Sequence, residues 1–166
     1  MEIKIRLNDH KYRYDVYQMF NIYFALDELK FVDDGEYIIN IEENKITFAF
    51  NGYYKESLIG ENIKEDIKRL VFESLKDITG EEHPWGILVG IRPSKIALKY
   101  LNEGKSNEEI VEIFKEKHLA AREKAELCIE VAKAEESFVN TDEKKIAIYV
   151  GMAFCPTRCF YCSFAA

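Results

Sequence analysis

Apolar and polar positions change their rhythm several times along the chain. Ile3, Ile5 and Leu7 alternate with Lys4 and Arg6, the period-two pattern of a half-buried strand. Between residues 13 and 29 the period lengthens. Tyr17, Phe20 and Phe24, with Val16, Tyr23 and Leu26 beside them, have the spacing of a helix with a wide apolar face. Phe31-Val32 followed by Asp33-Asp34-Gly35 reads as a connection with turn chemistry. Alternation returns in Tyr37, Ile39 and Ile41, then in Ile46, Phe48 and Phe50, and more weakly across Tyr53 to Leu58. Glu43-Asn44 separates the first two of these strands by a tight turn. Asn51-Gly52 separates the next two and is a strong hairpin signal.

The second half reads mostly as helix. Asn62 with Glu65 resembles an N-cap pair opening a helix to about Ile78, closed near Gly80. Its apolar face runs through Ile63, Ile67, Leu70, Val71 and Leu75. Glu81 to Arg92 is a loop region holding a short apolar patch, Ile87-Leu88-Val89. Pro93 suits the first turn of a helix reaching Leu101. Ser106 to Glu109 forms a capping box ahead of Ile110, Val111 and Phe114, and a longer helix spans about Ala120 to Ser137. Val139 to Lys144 is polar and reads as a linker. Lys145 to Val150 is a near-continuous apolar strand, of the kind buried on both faces of a parallel sheet. The expected organisation is an α+β domain at 1–82, a helical segment at 83–140, and a strand followed by a cysteine-bearing loop at 141–166.

Composition narrows the function classes. The chain has 166 residues, 48% of them hydrophobic and 32% charged, a globular balance with enough material for a real core. Its 23 basic residues are scattered among 30 acidic ones, for a net charge of −7. That argues against a nucleic-acid partner, which needs clustered Lys and Arg. No apolar stretch approaches the roughly 18 residues of a membrane span, and the N-terminus lacks the apolar core of a secretory signal. Of four cysteines, three are clustered and one is remote, which is not a disulfide framework. These features together point to a reducing cytoplasm.

The clustered cysteines carry the chemistry. Cys155, Cys159 and Cys162 stand at Cys-x3-Cys-x2-Cys spacing, directly after the apolar run Ile146 to Phe154. Three thiolates this close can reach one small inorganic centre. A closed structural site usually takes four protein ligands, and a working site keeps one position open. Iron–sulfur clusters are held by thiolates at short spacings of this kind. The rival reading is a zinc knuckle with a fourth ligand elsewhere, for which His10, His83 and His118 are distant in sequence.

The flanks add a resemblance. Tyr149-Val150-Gly151-Met152-Ala153-Phe154-Cys155 and Arg158-Cys159-Phe160-Tyr161-Cys162-Ser163-Phe164 resemble the radical S-adenosylmethionine (SAM) enzymes. Within them the likeness is to the oxygen-independent coproporphyrinogen III dehydrogenases, above all the HemZ-type branch with its long N-terminal region. Gly90-Ile91-Arg92-Pro93-Ser94-Lys95 looks like a segment of that region. The resemblance implies that residues 141–166 begin a radical SAM (β/α) barrel. It makes the chain the N-terminal part of a longer enzyme, inactive by itself.

It further implies that Cys155, Cys159 and Cys162 bind a 4Fe-4S cluster whose remaining iron takes SAM. One electron from the cluster, supplied by a reducing electron donor, then cleaves SAM. The radical so formed takes a hydrogen from a propionate side chain of a porphyrinogen, and loss of carbon dioxide leaves a vinyl group, a step of porphyrin and haem biosynthesis. By the same resemblance Tyr161 lies near the adenine of SAM and Tyr149 near the SAM site. Plain packing of the loop and of a barrel strand are the competing readings. No catalytic residue is singled out.

The run ahead of Cys155 departs from the family pattern. The relatives best matched to this chemistry read Tyr-x-His-Ile-Pro-Phe-Cys, whereas here Gly151 replaces the histidine and Ala153 the proline. Two rival functions follow from the same residues: a related radical SAM protein that binds and delivers haem, and a non-catalytic partner-docking module in the first 140 residues. Among the remaining residues, Cys128 shares a helix face with Ala121, Ala125 and Ala132 and reads as a buried structural thiol. Arg92 is a candidate carboxylate contact in a segment that otherwise reads as a turn and helix start. His83 and Trp85 flank Pro84 in a polar-aromatic loop suited to interface packing.

Overall fold

The computed structural model describes residues 2–138 together with 148, 150, 151 and 155. Residues 1–136 form one compact unit and 137–166 a second. The first unit has α+β architecture, as the alternating and helical patterns require. The strand expected over 145–150, the linker over 139–144 and the start of a barrel fall almost wholly outside the described residues.

The sheet has five strands: β1 (Ile3–Leu7), β2 (Leu29–Phe31), β3 (Tyr37–Ile41), β4 (Lys45–Phe50) and β5 (Tyr53–Leu58), in the spatial order β2-β1-β3-β4-β5. β1 runs parallel to both its neighbours, and β3, β4 and β5 form an antiparallel meander. Parallel pairing of β1 with β2 needs a crossover, supplied by helix α1 (Arg13–Tyr23). α1 stops earlier than the periodicity suggests. Phe24 is extended (φ −132°, ψ 152°), a short 3-10 turn covers Leu26–Glu28, and the chain enters β2.

The connection from β2 to β3 must pass β1, because those strands flank it. Val32 N–H donates to Ile5 O at 2.9 Å, and Gly35 lies against the Ile5–Arg6 backbone. A Cβ on Gly35 would stand 2.4 Å from Arg6 N, so only glycine fits. At the β4–β5 hairpin, Phe50 pairs with Tyr53 across the two-residue loop Asn51-Gly52, with φ 47° and 84°. Both angles are positive, as a type I′ turn requires.

Helix α2 (Ile63–Thr79) returns over the sheet. Asn62 is its N-cap residue, but the side chain makes no capping bond. The Asp66 carboxylate accepts instead from Gly60 N–H at 2.8 Å. Gly80 closes the helix in the left-handed region (φ 72°), its N–H on Lys76 O. Ile5, Val16, Met19, Phe20, Ile39, Phe48, Ile67 and Leu75 are fully buried between the sheet and α1 and α2. Tyr37 meets Phe20 edge-on at 5.2 Å and stacks on Phe50 at 3.9 Å. Each such side chain contributes about 1.5–3 kcal/mol by leaving water.

Three helices follow: α3 (Pro93–Asn102), α4 (Asn107–His118) and α5 (Arg122–Glu136). The Ser106/Glu109 capping box forms as expected. Phe114, Ile110, Ala97, Ala125 and Ala132 are fully buried among these helices. The C-terminal end of α4 ties the helices to the sheet region. Arg69 of α2 donates to the carbonyls of Glu116 and of Lys117, the latter at 3.2 Å, placing a cation at the negative end of the helix. Ile87 N–H donates to His118 O at 2.9 Å, and Ala121 N–H to Pro84 O at 2.9 Å.

Candidate functional site

Of the clustered cysteines, Cys155 is described, as an exposed thiol outside any disulfide. Cys159, Cys162, Tyr149, Tyr161 and Arg158 lie outside the described residues. Among the described residues no group of three His, Cys, Asp or Glu side chains is placed to hold a metal. The fit of an iron–sulfur cluster therefore rests on the chemistry of the donor set. Three soft sulfur donors at short spacing, one of them exposed, suit iron–sulfur ligation.

A recess of the first unit, about 710 Å³, is lined by β5, α2, residues 82–84 and the turn between α4 and α5. Alternation along β5 brings Tyr53 and Lys55 onto the side facing α2, where Glu73 and Asp77 stand one turn apart. Tyr53 Oη donates to Asp77 Oδ2 at 2.7 Å, and Lys55 Nζ reaches Glu73 at 3.0 Å and Asp77 at 3.2 Å. The Tyr53 hydrogen bond, followed by Lys55, holds the Asp77 carboxyl below the usual range. Lys76 pairs with Glu82 at 2.7 Å, and both line the recess. These groups satisfy one another, and none pairs a nucleophile with a general base.

His83 also lines the recess. Its ring meets Tyr23 edge-on at 4.5 Å, and Nε2 is shielded from solvent without a hydrogen-bond partner. Glu81 Oε2 lies 3.5 Å from it, an ion-pair separation lacking hydrogen-bond geometry. Tyr23 Oη donates to Phe72 O at 3.3 Å, and burial, reinforced by Glu81 and Asp77, pushes its phenol well above the ordinary tyrosine range. His83 thus packs on α1 within the first unit.

The other residues singled out are spread apart. Gly90 takes a left-handed conformation (φ 70°), and Arg92 is the exposed N-cap residue of α3 ahead of Pro93. Ser94 Oγ donates to Glu135 Oε2 at 3.2 Å. Cys128 is buried on the inner face of α5, and burial raises its thiol pKa. The Tyr53–Lys55–Asp77 cluster escaped the sequence reading. Its signal was present in the inward-facing Lys55 of β5 and the i,i+4 pair Glu73/Asp77.

No family model matches the chain, and no solved structure matches it. Over 107 residues, 63% of its length, the chain is 36% identical to the oxygen-independent coproporphyrinogen-III oxidase-like protein HemZ of Bacillus subtilis (strain 168). The match spans 21% of that relative. The likeness to HemZ-like proteins thus concerns a part of a much longer polypeptide. No helix among the described residues is long and apolar enough to cross a membrane.

Proposed function

We propose that this chain is the N-terminal part of a HemZ-like radical SAM oxidoreductase acting on the propionate side chains of a porphyrinogen. The observation that carries the reading is the Cys-x3-Cys-x2-Cys motif with its flanks, in a chain 36% identical to HemZ over 107 residues. Cys155, Cys159 and Cys162 hold a 4Fe-4S cluster through their thiolates and leave one iron without a protein ligand. When bound, the cluster and SAM supply the one-electron chemistry that removes a hydrogen from the propionate side chain. Tyr161 offers an aromatic face for the adenine of SAM, and Tyr149 borders the same ligand. Gly151 contributes no polar group where related enzymes place an imidazole. Thiols that serve as ligands must stay reduced, which suits the cytoplasm and a reducing electron donor. Residues 1–136 serve as a packed accessory unit.

Full-length protein, reconstituted without oxygen, tests the reading. It should bind four irons per chain, cleave SAM under a low-potential reductant and form protoporphyrinogen. Cys155→Ala, Cys159→Ala and Cys162→Ala should each abolish iron binding and SAM cleavage, while Cys128→Ala keeps both. Equal loss in the Cys128 variant would refute the assignment of ligands. SAM cleavage without protoporphyrinogen would refute the substrate.

A further inference from the structure

Another, smaller recess of the first unit, about 350 Å³, lies between α1 and the loop joining α2 to α3. Ile22 of α1 and residues 83–86 and 88–90 of the loop line it. Ile22, Pro84, Trp85, Leu88 and Val89 make its walls largely apolar. Small-molecule pockets run from about 300 to 1,000 Å³ and are mostly apolar, with a few polar groups that orient the ligand. A space at the lower end of that range holds one ring or a short branched chain. It is too small for a tetrapyrrole.

No carboxylate lines this recess, although the chain has 30 acidic residues against 23 basic ones. His83 is the one titratable side chain in the lining. Glu81 reaches its ring, at 3.5 Å, from outside the lining. Trp85 meets a cation instead. The half-buried Lys124 ammonium is 5.6 Å from the centre of the indole, within cation–π range. One ring therefore borders both the recess and an ammonium. The exposed Arg92 follows the lining residue Gly90 by two positions. Among the described residues neither Lys124 nor Arg92 joins an ion pair.

We propose that this recess binds a small carboxylic acid with an aromatic or branched apolar body. The body lies among Ile22, Pro84, Leu88 and Val89 and against the Trp85 ring. The carboxylate meets Lys124 and Arg92. Charge complementarity selects an acid over an amine or a neutral isostere, and the apolar walls select an organic acid over an inorganic anion. An amino-acid zwitterion is disfavoured, because no lining carboxylate takes its ammonium. The site is independent of the cysteine motif, since all its residues belong to the first unit.

Trp85 is the sole tryptophan of the chain, so its emission reports on the recess directly. Phenylacetate titrated into the 166-residue chain should give a saturable change in that emission. Phenylacetamide, its neutral isostere, should bind more weakly, and 2-phenylethylamine most weakly. Lys124→Gln should weaken phenylacetate binding roughly two- to fivefold, the range of a partly screened ion pair, and leave phenylacetamide binding unchanged. Arg92→Gln should do the same, and the double variant should bind acid and amide alike. Methyl NMR cross-peaks from the bound ring to Ile22, Leu88 and Val89 locate the ligand without any substitution. No saturable response to phenylacetate overturns the proposal. So does equal affinity of the unsubstituted chain for acid, amide and amine, or ring contacts to methyls elsewhere. Unchanged phenylacetate affinity in the double variant overturns the carboxylate contacts, and with them the ligand class.

Discussion

Gly86 lies directly against the C-terminal carbonyl of α4. A Cβ built on it would stand 2.1 Å from His118 O, the oxygen that also accepts the Ile87 N–H. Gly86 has a positive φ of 55° as well. Two separate demands therefore fall on one residue: a left-handed backbone and a contact too close for any side chain. Gly104 shares only the first, with φ 80° and nothing near its missing Cβ. Gly104→Ala should cost about 1 kcal/mol, the ordinary penalty of that conformation. Gly86→Ala should cost roughly 3 kcal/mol or more, because the carbonyl it meets is backbone already committed to a hydrogen bond. Urea unfolding of the two variants measures the difference. Similar midpoints would show that the loop moves aside freely.

Arg69 makes the neighbouring tie between the same parts of the fold. Its guanidinium donates to the Glu116 and Lys117 carbonyls and stands 3.9 Å from Glu73. The group is partly exposed, so the usual value of charged hydrogen bonds must be discounted for solvent. Arg69→Ala should destabilise the unit by about 1 kcal/mol. Arg69→Lys should recover only part of this, since an ammonium keeps the charge but loses the planar fork. Thermal unfolding of the three proteins gives the order, and a lysine variant as stable as the parent would show that charge alone matters.

These ties also mark what the sequence made legible. Alternation and turn residues exposed β1, β3, β4 and β5, and the Ser106/Glu109 box marked the start of α4, because each signal is local. β2 spans three residues and owes its existence to pairing with β1, so no periodicity announces it. Gly35 and Gly86 look like ordinary loop glycines until the backbone that approaches them is known. Lys55 read as a polar position of a weak strand; its partners Glu73 and Asp77 arrive from a helix some twenty residues later. The spacing of Cys155, Cys159 and Cys162 is a local pattern that needs no tertiary information to be read, and the ligand role drawn from it belongs to the proposed function.

His118 makes stability depend on pH near neutrality. It is buried at the end of α4 with its ring edge-on to Phe114, and burial lowers its pKa below the ordinary 6.5. The unfolded chain therefore takes up a proton more readily than the folded one. Stability should be full above about pH 6.5 and fall as the pH drops through the folded value. Asp77, lowered from 3.8 by Tyr53 and Lys55, adds a second loss in stronger acid, below its unfolded value. His118→Gln should flatten the first decline and leave the second. Unfolding midpoints collected across the two windows will separate them, and an unchanged slope near pH 6 in the variant would acquit His118.

Gly151 bears on turnover. Under the proposed function, hydrogen abstraction would belong to the cofactor chemistry and need no imidazole, so the absent side chain should leave SAM cleavage intact. An imidazole at this position in related enzymes has another use: placing the substrate or SAM, or supplying a proton. One positioning hydrogen bond is worth about 0.5–1.5 kcal/mol, which corresponds to a roughly two- to tenfold change in rate. Full-length protein should therefore cleave SAM at an ordinary rate while consuming coproporphyrinogen III slowly. Gly151→His should raise porphyrinogen turnover within that range without changing SAM cleavage. Single-turnover assays of both activities, on the same reconstituted sample, resolve the two steps. If the unsubstituted enzyme already consumes coproporphyrinogen III as fast as histidine-bearing relatives, the positional argument is wrong. A variant that gains nothing while its iron content is unchanged would mean that another polar group already holds the substrate.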